Sequence, residues 1–93
     1  MEKVKIMIAD DESKLRTLIK DWLTDAGYEV IEAEDGKVAL EKFEQHSDIK
    51  LIILDVMMPY VDGWKVCKEI RRKSTVPIIM LTAKGEEFDT VLG

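Results

Sequence analysis

Along the 93 residues, apolar and polar positions switch between two periods. "VKIMIA" (4–9) is an apolar run of strand length. Leu15, Leu18, Ile19, Trp22, Leu23 and Ala26 then recur at helical spacing until Gly27 closes the segment, which predicts an amphipathic helix with Trp22 in its apolar stripe. "YEVIEA" (28–33) reads as a strand polar enough for a sheet edge, and "EDGKVALEKFEQH" (34–46) as a shorter amphipathic helix. "KLIILD" (50–55) and "VPIIML" (76–81) are continuous apolar runs, the pattern of strands covered on both faces, and Pro77 can open the second without breaking it. Between them Asp62 and Gly63 start a third helix. It turns Val66, Cys67 and Ile70 inward and ends in "RRK" (71–73), where the helix dipole favours cations.

Alternation at this spacing predicts one α/β domain over residues 1–93, a doubly wound parallel sheet with right-handed crossovers and helices on both faces. In the flavodoxin-like strand order 2-1-3-4 the first and third strands are neighbours where the winding reverses, and ligands bind beyond the carboxyl ends of the strands at that point. The first strand delivers Asp10 and Asp11 there ("IMIADDE"), the third delivers Asp55, and the fourth Thr82 ("IIMLTAK"). Adjacent carboxylates repel, and partial burial sharpens the repulsion. A helix N-terminus would offset it through free amides and the dipole. A hard divalent cation would offset it further: Mg2+ takes oxygen ligands in octahedral geometry, keeps several waters and commonly partners phosphate, whereas Ca2+ would want more ligands than the sequence supplies. One carboxylate is then free to attack phosphorus. Asp55, held at a strand end by "LIIL", is the candidate nucleophile; Thr82 either offers its hydroxyl to a phosphoryl oxygen or caps its strand.

Composition acts mainly by exclusion. At 46% hydrophobic and 35% charged the chain is an ordinary globular one, which argues against disorder. A net charge of -5 and a pI near 4.9 argue against a nucleic-acid or anionic-membrane surface in this segment. No apolar run exceeds strand length, so the expectation is no signal peptide, no membrane span and a cytoplasmic location. Cys67, the single cysteine, reads as a buried structural thiol, and His46, the single histidine, as a surface residue. Met57 and Met58 read as soft packing, and "GEEFD" (85–89) as a solvated helix start.

Together, "IADDE", "LIILDVMMPYVDGW" and "PIIMLTAKGEEFD" resemble the receiver domain of bacterial two-component response regulators, over essentially the whole chain. The resemblance implies a phosphorylation-dependent signalling switch. Asp55 would be the phosphoacceptor, and Mg2+ would be held by Asp10 and Asp11, directly or through water, by Asp55 and by the main-chain carbonyl of Met57. Thr82 would be the switch hydroxyl, with Ala83 its small neighbour. Pro59 and Gly63 would shape the loop after the third strand, in keeping with a fixed φ and a close backbone approach. A sensor histidine kinase is the implied phosphodonor and transcription regulation through a separate DNA-binding domain the implied output. Self-catalysed phosphotransfer and dephosphorylation would be the only chemistry, so no enzyme is implied.

The family pattern continues through a fourth helix, a fifth strand ending in a phosphate-binding lysine, and a fifth helix, whereas these residues stop at "EEFDTVLG". The expectation is a receiver lacking its last βα unit and that lysine; Lys84 does not match the position and reads as a solvated loop residue. The fourth strand, "IIML", would then be a sheet edge and the missing fifth helix would uncover one face of the sheet beside the first helix, so a homo-oligomer or an assembly exchanging "EEFDTVLG" is expected. The alternative from another class is a binding or structural piece of a receiver that takes no phosphate. A flavin-binding relative would want a Ser/Thr/Gly-rich phosphate loop where "ADDESK" stands. A phosphohydrolase of the haloacid dehalogenase type would want a second acid where Met57 stands.

Overall fold

The computed structural model describes residues 3–81 and the backbone of 88–91. The elements run β1 (Lys5–Ala9), α1 (Ser13–Asp25), β2 (Glu29–Ala33), α2 (Gly36–Gln45), β3 (Ile49–Asp55), α3 (Gly63–Arg71), β4 (Ile78–Leu81) and β5 (Phe88–Val91). The first four strands are parallel in the order β2-β1-β3-β4, as the alternation predicts. Side-chain hydrogen bonds start two helices where the sequence places them: Asp35 Oδ1 accepts from the Val38 amide at 2.8 Å and Asp62 Oδ1 from the Lys65 amide at 2.9 Å. Gly27 ends α1 at φ 98°, a left-handed conformation that glycine adopts without the Cβ penalty.

Two expectations about the sheet are corrected. β4 is not the edge, because β5 pairs with it antiparallel, Ile78 opposite Val91 and Leu81 opposite Phe88. A parallel return needs a crossover of a dozen or more residues, and only residues 82–87 separate the two strands, so the chain can come back beside β4 only as an antiparallel partner. Phe88 and Asp89 accordingly lie in a strand rather than at the start of a helix. Nor are the central strands covered equally on both faces. Met7, Ala9, Ile52, Leu54, Ile78 and Met80 share one face and are buried with Ala39, Val66, Cys67 and Ile70 under α2 and α3. On the opposite face Ile6 and Ile8 are buried, whereas Leu51, Ile53, Ile79 and Leu81 are only half-buried.

The helix α1 explains that difference. It packs against β2 and β1 rather than β3 and β4, and none of its residues is fully buried. Leu15, Ile19 and Leu23 are half-buried, while Leu18 and Trp22 are 45% and 63% exposed. The predicted apolar stripe is therefore wider than the surface it covers, and Trp22 lies outside the core. Cys67 is buried as expected, and burial pushes its thiol pKa up, which keeps it inert. His46 is half-buried at the C-terminal cap of α2. No described helix is long and apolar enough to cross a membrane.

Candidate functional site

The carboxyl ends of β1 and β3, adjacent in the sheet, bring Asp10, Asp11 and Asp55 together, with one oxygen from each within 4.8 Å of the others. Asp10 continues β1 beyond Ala9: its amide donates to the Ala33 carbonyl at 3.1 Å, and its side chain, 2% exposed, folds back so that Oδ1 accepts from the Glu12 amide at 2.8 Å. Asp11 is exposed on the turn that follows. Neither residue caps α1. The N-cap is Glu12, which makes no side-chain capping bond, so the helix-terminus explanation of the paired acids does not hold.

Asp55 is the last residue of β3, half-buried, its Oδ1 accepting from the Met57 amide at 3.2 Å. The chain after it is held at three places. The Val56 amide donates to the Leu81 carbonyl at 3.0 Å, and the Gly63 amide returns to the Val56 carbonyl at 2.9 Å. A Cβ on Gly63 would overlap the Asp55 carbonyl oxygen, so only glycine lets α3 start this close to the strand. Between these points the Val61 amide donates to the Pro59 carbonyl at 2.8 Å across Tyr60, whose φ is 69°, a γ-turn of the strained hand. The carbonyl of Val61 then lies where a Cβ on Gly36 would be, which braces the loop on the first turn of α2.

Electrostatics at the cluster run against the charged forms. Burial, and after it the neighbouring charges of Asp10 and Asp11, raise the Asp55 pKa to about 6, against the pull of the Met57 amide. Burial also raises that of Asp10, with Asp11 and Glu12 adding to it; the Glu12 hydrogen bond and the Arg16 charge oppose. Among the described residues none of the three carboxylates is in a salt bridge. An all-oxygen donor set, one member buried, one half-buried and one exposed, suits a hard divalent cation that keeps part of its water. Thr82, Ala83 and Lys84 lie outside the described residues. Met57 turns a 62% exposed side chain to solvent, which replaces the packing role expected of it, while Met58 is buried in the core.

Several residues that shape the site carry no mark in a pattern of spacings. Arg16 reaches from α1 to donate to the Asp10 carbonyl at 2.7 Å, and its Nε donates to Glu32 Oε1 on β2 at 3.1 Å. The available signal was weak, a glutamate within the strand "YEVIEA" and an arginine on the helix before it. Tyr60 gave none, since a tyrosine is not a residue expected at positive φ.

Three comparisons bear on this arrangement. Residues 6–92 match the family model of the response regulator receiver domain. The chain is 50% identical over 91 residues to the probable transcriptional regulator ycf27 of Galdieria sulphuraria, covering 98% of this chain and 35% of that protein. It is 51% identical over 90 residues to the alkaline phosphatase synthesis transcriptional regulatory protein PhoP of Bacillus subtilis, covering 96% and 37%. The chain thus spans about a third of the length of these curated relatives. Among solved structures, the response regulator TrrA of Thermotoga maritima, in complex with Mg(2+)-BeF, superposes with a TM-score of 0.80 at 43% identity, covering 86% of this chain and 70% of that one.

Proposed function

The chain belongs to the response regulator receiver domains of two-component systems, and from that premise we propose that it is a phosphorylation switch in which Asp55 is the phosphoacceptor. The observation that carries this reading is the convergence of three carboxylate oxygens within 4.8 Å, with Asp55 half-exposed at the end of a strand in the middle of the sheet. Asp10, Asp11, Asp55 and the main-chain carbonyl of Met57 would hold Mg2+. When bound, the ion neutralises charge on the transferring phosphoryl oxygens. Asp55 must be ionised to attack, and a pKa raised to about 6 leaves it so at neutral pH. Its oxygen forms a bond to phosphorus while the bond from phosphorus to the donor's histidine nitrogen breaks, the electron pair staying on the imidazole, which takes a proton from solvent. Asp10 stays out of that exchange because it is 2% exposed and closed to a donor, whereas Asp55 is half-exposed. Thr82 would donate its hydroxyl to a phosphoryl oxygen and so read the phosphorylated state.

A sensor histidine kinase would be the donor, and transcription regulation the output, in keeping with the names of the curated relatives. The domain would act in the cytoplasm, and its chemistry would be limited to self-catalysed transfer and hydrolysis, so it is not an enzyme acting on a separate substrate. In isolation the chain would also associate with a second copy. Phosphorylation is tested by incubating the chain with Mg2+ and a small acyl phosphate, then mapping acid-stable, base-labile mass. Asp55→Asn is expected to abolish the label and Asp62→Asn to retain it. Label at Asp62, or undiminished label in Asp55→Asn, overturns the assignment.

A further inference from the structure

Outside the acid cluster, one polar network reaches it from behind. Arg16, the fourth residue of α1, has a side chain 17% exposed. It forks: Nη1 donates to the Asp10 carbonyl oxygen at 2.7 Å and Nε to Glu32 Oε1 at 3.1 Å. The second Glu32 oxygen accepts from Lys20 Nζ at 3.1 Å, so Glu32 is gripped by two turns of α1 and presents a fixed acceptor to the guanidinium. Lys20 and Arg16, hydrogen-bonded to it, hold the Glu32 carboxyl below its usual range, so it stays an anion. The residues Asp10 to Glu12, which carry two of the three carboxylates, are otherwise held by the Asp10 amide on β2, the internal Glu12 to Asp10 bond and the Arg16 amide, which donates to the Glu12 carbonyl at 3.0 Å whatever the side chain at 16.

We propose that Arg16 is a positioning residue for the cation site, acting through the Asp10 carbonyl and itself oriented by Glu32. The inference rests on the reading of Asp10, Asp11 and Asp55 as a Mg2+ site. A planar guanidinium suits the task because one rigid group meets two acceptors at a fixed angle, which a lysine ammonium at the same place cannot do. Outer partners of this kind orient the groups that touch a metal, and their loss commonly weakens metal binding ten- to a hundredfold.

The sign of the effect separates positioning from charge. Arg16 is a cation whose field reaches the Asp10 carboxylate, so by Coulomb's law alone its removal would tighten binding of a second cation. Positioning predicts the reverse. Mg2+ affinity of the whole chain, measured by titration calorimetry at fixed pH and ionic strength, is expected to fall about tenfold or more in both Arg16→Met and Arg16→Lys. Lys5→Met, which removes a cation paired with Asp48 at the opposite end of β1, should stay within twofold. Urea unfolding of each variant accompanies the titration, since a purely structural role lowers stability and leaves the affinity of the folded chain unmoved. Unchanged or tighter binding in Arg16→Met overturns the inference, as does retention of full affinity in Arg16→Lys. If the unsubstituted chain takes up no Mg2+, or Asp11→Ala binds as well as it does, the proposed function falls first and this inference with it.

Discussion

An aspartate in water is ionised well below neutrality, but Asp55 keeps its proton up to about 6 because the fold half-buries it beside two further acids. Its folded pKa lies above the ordinary 3.8, so its contribution to stability is complete below pH 3.8 and is lost as pH rises through 6. Asp10 acts in the same direction. In chelator, Asp55→Asn should therefore be more stable than the parent chain at pH 7, by about 1 kcal/mol once solvent screening of a half-exposed carboxylate is allowed for. At pH 4 the two should be alike. Urea midpoints at the two pH values check this, and an Asn variant that gains nothing at pH 7 would show that burial and the neighbouring acids do not penalise the Asp55 charge. With Mg2+ at pH 7 the order should reverse, because only the parent chain keeps the full set of ligands. The identity of these acids was legible in the sequence, since each ends an apolar strand run. Arg16 was not: what marks it is a bond to a main-chain carbonyl six residues back and an anion on another strand.

At the scale of the element, the loop from Val56 to Asp62 shows local preference yielding to tertiary contacts. Tyrosine in the left-handed region costs about 1–2 kcal/mol, and such a conformation persists only where the surroundings over-determine it. The contacts that do so are glycine-dependent, Gly63 against Asp55 and Gly36 against Val61. Tyr60, 85% exposed, has little packing to lose. Tyr60→Gly should thus raise stability by about 0.5–1 kcal/mol, the relief of strain less the added chain entropy of glycine, seen as a higher urea midpoint at unchanged slope. A lower midpoint would show that the turn is not strained. Gly63→Ala should cost about 1–3 kcal/mol, because the added carbon meets backbone that cannot move aside. The sequence marked Gly63 as a close approach and Asp62 as a cap, both of which are local choices. It could not mark the course of the loop between them, which is set by α2 in a different part of the chain. Helix α1 is the same lesson with the opposite sign: its periodicity predicted the helix, yet which half of the stripe is buried depends on where the sheet lies beneath it.

Across the whole molecule the two faces of the sheet are unequal. One is closed by α2 and α3, and Met7, Ala9, Ile52, Leu54, Ile78 and Met80, which β1, β3 and β4 turn to it, are all buried. On the other, Ile6 and Ile8 are buried, Leu51, Ile53, Ile79 and Leu81 are half-buried, and on α1 Leu18 and Trp22 are open to solvent. Apolar surface left open in this way marks contact sites where it is extensive. The sheet also ends in β5, which has a strand partner on one side only, and an edge strand offers unpaired amides and carbonyls to a second copy. The sequence foresaw association through an exposed β4 edge and an uncovered sheet face; β5 occupies the edge, so the open face is left as the driving surface. The isolated chain should accordingly be a concentration-dependent dimer, whose melting temperature rises with protein concentration. Placing a charge on the exposed stripe of α1, where no packing is lost, should reverse this: Trp22→Glu is expected to return the chain to monomer in light scattering across a dilution series and to make its melting temperature independent of concentration. A monomer at every dilution in the unsubstituted chain would show that the half-covered face is tolerated as it stands; a dimer that survives Trp22→Glu would move the contact from α1 to the β5 edge.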